Sequence, residues 1–306
     1  MTAILFPGQG SQYIGMSEDF YNNFLNSKLV FEEVEDSTSI DVKKIIFKDP
    51  LNQLNLTNYT QLCIFTASYS IFRVIETEFD LKNMNVNTML GHSLGEYSAL
   101  ASSYKITLSD CAKLLKLRGD LMHRAINPNE SGMAALIGLD SISIQNIIDE
   151  VNLDVQIAND NSPIQVVISG MINNIDKSRD IFLKNGVKKF VKLNVSAAFH
   201  SNLMLEAQNI MRKYIDETIF SDSSVSIISN FSSKISNNSE TIKDSLINQM
   251  ANKVRWKESI NELEINNEKN LIEIGPGKVL SGLVKRITSS FEITSIDQMK
   301  DLELFK

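Results

Sequence analysis

The feature that most constrains this chain is a strand that runs straight into a glycine-bounded turn. Residues 86–90 form a short apolar run of strand character, Gly91-His92-Ser93-Leu94-Gly95-Glu96 follows, and the small-residue segment 97–104 has helical character. In a strand, turn and helix built on Gly-x-Ser-x-Gly, the serine sits on the turn with its hydroxyl exposed. Gly91 and Gly95 allow the tight turn and bring the helix close to the strand. The first N–H groups of that helix then lie near any oxyanion that forms at the serine. The same five residues also occur at ordinary strand-to-helix turns, so their meaning depends on what else the chain carries.

A chain of 306 residues can bury one large core, or one core with a smaller appended unit. Its 43% hydrophobic and 22% charged content is that of a soluble globular protein, and no apolar run approaches the length of a membrane span. The start, Met1-Thr2-Ala3-Ile4-Leu5-Phe6, lacks the features of a signal peptide, so a cytoplasmic location without membrane association is expected. Cys63 and Cys111 fall in helical patterns and are expected as small buried side chains in a reducing compartment. The three histidines, His92, His123 and His200, have no zinc-type spacing with one another or with the cysteines, so no metal is expected. A net charge of −7 argues against nucleic acid, whose phosphates need a basic face.

Strands alternate with helices along the chain. Residues 2–6 read as a buried strand, 60–79 as a helix with a helical apolar stripe, and 109–126 as another helix. Beyond a break at 127–132, strand 133–138, helix 141–151, strands 155–159 and 165–170, helix 174–185 and strand 189–195 give β-α-β-β-α-β, the order of a ferredoxin-like unit. A helix follows over about 203–215, then strand 225–230, helix 241–250, a helical run over 254–263, strand 271–274 and helix 278–287. The expected fold is therefore α/β: a hydrolase-like large lobe with a mainly parallel sheet, residues 1–126 and 197–306, and an inserted ferredoxin-like small lobe, residues 127–196.

Four further places invite a functional reading. The loop Pro7-Gly8-Gln9-Gly10-Ser11-Gln12 after the first strand has neither a dinucleotide fingerprint nor a P-loop lysine, which leaves a flexible loop able to aim a backbone N–H, or a plain glycine turn. Arg118 falls inside the apolar stripe of Cys111, Leu114, Leu115, Leu121, Met122 and Ala125. A guanidinium there requires an anion, either an acidic side chain or a carboxylate or phosphate on a substrate. Asn159 and Asn161 are placed in the loop between the two central strands of the small lobe, where they face the cleft or serve the turn. His200 sits at a lobe junction and at a helix N-terminus, whose dipole would keep its ring neutral and able to accept a proton.

Taken together, these stretches resemble the malonyl-CoA:acyl carrier protein transacylases, both the fatty-acid-synthesis enzymes and the stand-alone, trans-acting acyltransferases of polyketide synthases. The resemblance covers nearly the whole chain. It rests on Phe6-Pro7-Gly8-Gln9-Gly10-Ser11-Gln12, Gly91-His92-Ser93-Leu94-Gly95-Glu96, Arg118-Gly119 with Leu121-Met122, residues 195–201 with Leu203-Met204, Gln249 with Val254-Arg255-Trp256, and Glu273-Ile274-Gly275-Pro276-Gly277. It implies Ser93 as nucleophile, His200 as general base, and the backbone N–H groups of Gln9 and Leu94 as an oxyanion hole. It further implies Arg118 as the holder of a free acyl carboxylate, Gln249 near the histidine, and Gln61, His92, Met122 and Phe199 about the substrate. Leu94 and the sequence Ala198-Phe199-His200 fit the malonyl type.

The implied donor is malonyl-CoA, a coenzyme A thioester, with no bound cofactor; the implied acceptor is an acyl carrier protein, discrete or within a polyketide synthase. Residues 195–201 and Met250-Ala251-Asn252-Lys253 favour polyketide service over fatty-acid synthesis. A serine thioesterase or acyl-CoA hydrolase with the same elbow, and a non-enzymatic docking subunit, are the competing readings. Because carrier proteins are usually acidic, Lys184, Lys188, Lys189, Lys192, Lys278, Lys285 and Arg286 are candidates for a docking surface, or are simply solvated charges.

Overall fold

A computed structural model describes residues 1–79, 84–127, 130–195 and 197–305. In chain order the elements are β1 (Thr2–Phe6), α1 (Glu18–Asn23), α2 (Leu25–Thr38), α3 (Val42–Phe47), α4 (Thr57–Glu78), β2 (Val86–Gly91), α5 (Gly95–Ser102) and α6 (Leu108–Arg124). Next come β3 (Ser131–Ile137), α7 (Ser141–Val151), β4 (Gln156–Ser162), β5 (Gln165–Met171), α8 (Ile172–Lys184) and β6 (Lys189–Lys192). The chain then forms α9 (Leu205–Glu217), β7 (Ser226–Ile228), β8 (Ile235–Ser236), α10 (Ser239–Ile247), α11 (Trp256–Ile265), β9 (Asn270–Ile274), α12 (Val279–Ile287) and β10 (Glu292–Ile296).

The larger sheet has the order β10-β9-β1-β2-β7-β8, parallel throughout except for the last pair. Every residue of β1 is buried, as a strand covered on both faces requires. Ile4 and Phe6 pack into the cluster formed with α2, α4, α5 and α6, while Ala3 and Leu5 face Trp256, Leu263 and Leu283 of α11 and α12. The smaller sheet has the order β4-β5-β3-β6 with every neighbouring pair antiparallel, which is the ferredoxin-like arrangement of a βαββαβ segment. Its own core, including Leu136, Ile144, Ile168 and Phe182, lies between that sheet and α7 and α8. The expected limits of the small lobe, 127 and 196, fall beside or on positions 128, 129 and 196, which lie outside the described residues. Among the described residues no helix is long and apolar enough to cross a membrane.

Two expectations need correction. Asn159 and Asn161 do not occupy a loop between central strands: both are buried within β4, which is an edge strand. Strand backbone continues through these polar residues because the edge is completed by the large lobe. Asp160 N–H donates to the Val254 carbonyl at 2.9 Å, and Val254 N–H donates to the Ala158 carbonyl at 2.8 Å. Lys257 Nζ lies 3.3 Å from Asp160 Oδ2 across the same seam. The shifts of register on β4 re-aim its side chains there. The second correction concerns residues 18–47, given no element above, which form three helices. Their cohesion comes from Tyr21, Phe31 and Phe47, whose ring centroids lie 5.1–5.4 Å apart, more than from a long apolar stripe.

The turn after β2 is fixed from beneath. His92 N–H donates to the Phe6 carbonyl at 3.0 Å, and a Cβ added at Gly95 would stand 2.2 Å from that same oxygen. The Phe6 carbonyl carbon and the Pro7 carbonyl oxygen, each 2.9 Å away, are backbone as well, so nothing can swing aside. Gly95→Ala is therefore expected to cost about 3 kcal/mol of unfolding free energy. Urea denaturation of the variant checks this, and an unchanged midpoint and slope would refute the packing argument.

Candidate active site

Ser93 stands where β2 ends, at the carboxyl edge of the parallel sheet, with φ +53°. That left-handed backbone is unfavourable for a residue with a Cβ and persists where surrounding contacts over-determine it. Here both of its backbone groups are held by side chains. Ser93 N–H donates to Asn230 Oδ1 at 2.6 Å, and Gln249 Nε2 donates to the Ser93 carbonyl at 2.9 Å. Asn230 in turn donates through Nδ2 to the Gly91 carbonyl at 2.6 Å, which locks its amide orientation.

The hydroxyl so presented lies 2.8 Å from His200 Nε2. On the far side of the ring, Nδ1 is 3.1 Å from the Gln249 carbonyl and 3.2 Å from that of Asn252. Carbonyls only accept, so Nδ1 carries the proton and Nε2 is left as the acceptor. Burial is the main reason the imidazole pKa falls from its ordinary 6.5 to about 3, followed by the positive charge of Arg118. This corrects the helix-dipole argument: His200 occupies a bend at φ +55°, and α9 begins only at Leu205, after a 3-10 turn over Asn202–Met204.

Arg118 reaches the same oxygen from α6. Gly119 lets α6 lie close against the start of α4, where an added Cβ would be 3.0 Å from the Asn58 Cα, and this brings Arg118 beside Gln61. Arg118 is 1% exposed, yet among the described residues its guanidinium forms no ion pair. Its partners are neutral. Nη1 donates to Gln61 Oε1, and Nη2 donates to Gln249 Oε1 at 2.9 Å and to Ser93 Oγ at 3.0 Å. The Tyr97 ring lies 5.7 Å away, and Nε has no partner among the described residues. Because Arg118 can only donate to Ser93 Oγ, the hydroxyl proton must point to His200.

A cavity of about 90 Å³ opens over these groups. Gln9, Gln61, His92, Ser93, Leu94, Arg118, Met122, Phe199 and His200 all line it, together with Met133, Asn159, Leu193 and Val195. Gln249 does not line it but bonds to Arg118, which does. Neither the Gln9 nor the Leu94 backbone N–H has an acceptor among the described residues, which leaves two donors free near Ser93. Gln61 also contacts Met122, with Nε2 at 3.3 Å from the thioether sulfur. His92 bonds instead across the lobe seam, with Nε2 2.8 Å from Asn161 Oδ1 and its ring 5.5 Å from that of Trp256. Among the described residues no three His, Cys, Asp or Glu side chains group as metal ligands.

A part-buried serine hydroxyl, an imidazole held as acceptor, two free N–H groups and a cation without an ion pair among the described residues are the groups that acyl transfer from an ester or thioester calls for. A model of the acyl transferase domain family matches residues 4–304. The chain belongs to that family. Among curated members, the malonyl CoA-acyl carrier protein transacylase of Bacillus subtilis is 35% identical over 305 residues, 99% of this chain and 95% of that protein. The acyl-carrier-protein-S-malonyltransferase of Bartonella henselae superposes with a TM-score of 0.94 at 38% identity, covering 99% of this acyl transferase and 97% of the other. A malonyl-transacylase solved in complex with its type II polyketide synthase acyl-carrier protein superposes with a TM-score of 0.92 at 33% identity, covering 99% and 98% of the two chains.

Sequence reasoning missed Asn230, Asn252 and the use made of Glu96. Asn230 follows β7 at the carboxyl edge of the sheet, a position that could have drawn notice. Asn252 acts through its carbonyl and leaves no side-chain signal. Of the candidate docking cations, Lys192 pairs with Asp176 and Arg286 Nη1 donates to Gln165 Oε1 at 2.6 Å, so both are engaged locally.

The depressed basicity of His200 makes a pH prediction. The unfolded chain takes up a proton at this residue as pH falls below about 6.5, whereas the folded chain does so only near 3, so native stability declines as pH falls through that window. In the folded protein the His200 Cε1 proton signal in NMR, assigned with His200→Gln, is expected to stay at its neutral position from pH 8 to about 5. A midpoint near 6.5 would contradict the burial argument.

Proposed function

We propose that this acyltransferase moves a malonyl group from malonyl-CoA to the phosphopantetheine thiol of an acyl carrier protein through a Ser93 ester. The observation that carries the proposal is Arg118: a buried cation in hydrogen-bond contact with Ser93 Oγ and with no acidic side chain in direct ion-pair contact among the described residues. The free carboxylate of a malonyl unit supplies the anion, and the planar fork of the guanidinium can hold it in two parallel hydrogen bonds. The names of the relatives support the same chemistry.

The steps follow from the geometry. Ser93 Oγ attacks the thioester carbonyl as its proton passes to His200 Nε2, and the Gln9 and Leu94 N–H groups receive the oxyanion. Collapse expels the coenzyme A sulfur, which takes the proton from His200. The imidazolium formed in between is stabilised by the Gln249 and Asn252 carbonyls at Nδ1. A thiolate leaves far more readily than an amine, so no third carboxylate is required. The carrier thiol then gives its proton to His200, attacks the Ser93 ester and reverses the sequence.

Polyketide service is our reading of residues 195–201 and 250–253, with fatty-acid synthesis as the alternative. The relatives fit both, one of them being bound to a polyketide carrier protein. Intact-mass spectrometry with malonyl-, methylmalonyl- and acetyl-CoA, with and without carriers of each pathway, tests the whole proposal. The expected result is a malonyl adduct that is absent in Ser93→Ala and is passed to carrier thiol. Rapid hydrolysis to free acid without carrier would favour a thioesterase. Arg118→Ala is expected to lose malonyl transfer by about 10²- to 10⁴-fold and acetyl transfer far less, because the contacts with Ser93 and His200 are lost for both donors but the grip on a free carboxylate only for malonyl. Equal loss of both activities would remove the carboxylate role.

A further inference from the structure

Among the described residues Glu96 is the one carboxylate drawn into this cluster, and no step above uses it. It lies in the first turn of α5 and is 0% exposed. Its Oε2 accepts from Asn230 N–H at 3.0 Å and from Gln249 Nε2 at 2.8 Å, both of which favour the ionised form. Burial pushes its carboxyl above the usual carboxylate range, while these two donors, Ser229 and the Arg118 charge act the other way.

Gln249 connects it to the cation. Its Nε2 faces two acceptors, Glu96 Oε2 and the Ser93 carbonyl, so its Oε1 must turn to Arg118 Nη2. An amide flip would set oxygen against oxygen at both contacts, so the orientation is not interchangeable. Charge is thus arranged as carboxylate, amide dipole and guanidinium, with the cation aimed at Ser93. An acyl carboxylate arriving at Arg118 makes a second negative charge beside one positive charge in a site of low dielectric.

We propose that Glu96 is the resident counter-ion of Arg118 and, relayed by Gln249, sets how strongly the site favours acyl groups with a free carboxylate. This rests on the reading that Arg118 receives that carboxylate. Glu96 acts as a positioning residue with two opposed effects. It aims the cation, and its charge weakens the grip on the incoming anion, which keeps the malonyl ester from being held too firmly to be passed on.

The test is Glu96→Gln, which keeps the size and an acceptor oxygen for Asn230 and Gln249 but removes the charge. In self-acylation the KM for malonyl-CoA is expected to fall about ten-fold, the size of coupling usual between charged groups in one network. The constant for acetyl-CoA should stay within about two-fold and transfer kcat should not rise. An unchanged or raised KM for malonyl-CoA, or equal loss with both donors, overturns the proposal, since a merely structural role would give loss on both.

A stability cycle supplies an independent reading should the single variant fold poorly. Arg118→Ala strands a buried carboxylate, so adding Glu96→Gln to it is expected to raise Tm above that of Arg118→Ala alone; additive losses would overturn the proposal. If the wild-type enzyme takes acetyl-CoA as readily as malonyl-CoA, it is the assigned role of Arg118 that fails, a result separate from either outcome above.

Discussion

A guanidinium withdrawn from water needs negative charge or a dense set of acceptors, and this requirement at Arg118 shapes much of the site. Two glutamines and a serine oxygen meet its N–H groups, but none of them carries charge. With Glu96 one side chain away behind Gln249, the cation still has no direct ion pair among the described residues and attracts an anion that fits beside Ser93. Its field also reaches His200, where together with burial it keeps the imidazole neutral and ready to take a proton. In the proposed function one charge therefore serves both substrate choice and the protonation state of His200.

Mechanical support comes from the sheet. Parallel strands end together at their carboxyl edge, and there the chain must turn back as a helix. The left-handed conformation of Ser93 would relax if its backbone groups were free; Asn230 and Gln249 hold them, and each of those side chains is itself held by further hydrogen bonds. The base is not delivered by a rigid element. His200 is pinned through Nδ1 to two carbonyls from the segment after α10. That segment also supplies Gln249, and a few residues later Val254 pairs with β4, so it links the nucleophile, the base and the small lobe.

Much of this was legible in the sequence, and the reasons differ from residue to residue. The elbow was legible because a strand, two glycines and a helix leave little conformational choice at Ser93. Arg118 stood out because a cation interrupts an otherwise apolar stripe. The βαββαβ segment was legible from its alternating periods. Asn159 and Asn161 were misplaced because the partner that completes the edge of β4 is nearly a hundred residues distant, and local turn chemistry is all a short window can show. The cause of the low basicity of His200 was misjudged because burial and the proximity of Arg118 are consequences of the fold; a helix end is visible in sequence and they are not. Glu96, though inside the best-marked motif, offered no sign of its link to Arg118, since that link runs through Gln249 on a different element.

The central claim is that Ser93 carries an acyl group whose far carboxylate meets Arg118. A crystal structure of the malonyl-enzyme, trapped in the absence of carrier protein, tests it most directly. The account predicts ester density on Ser93 Oγ, the ester carbonyl oxygen at the Gln9 and Leu94 N–H groups, and the free carboxylate paired with the Arg118 guanidinium. An acyl chain directed to solvent, with Arg118 still bonded only to Gln61, Gln249 and the serine oxygen, would contradict it.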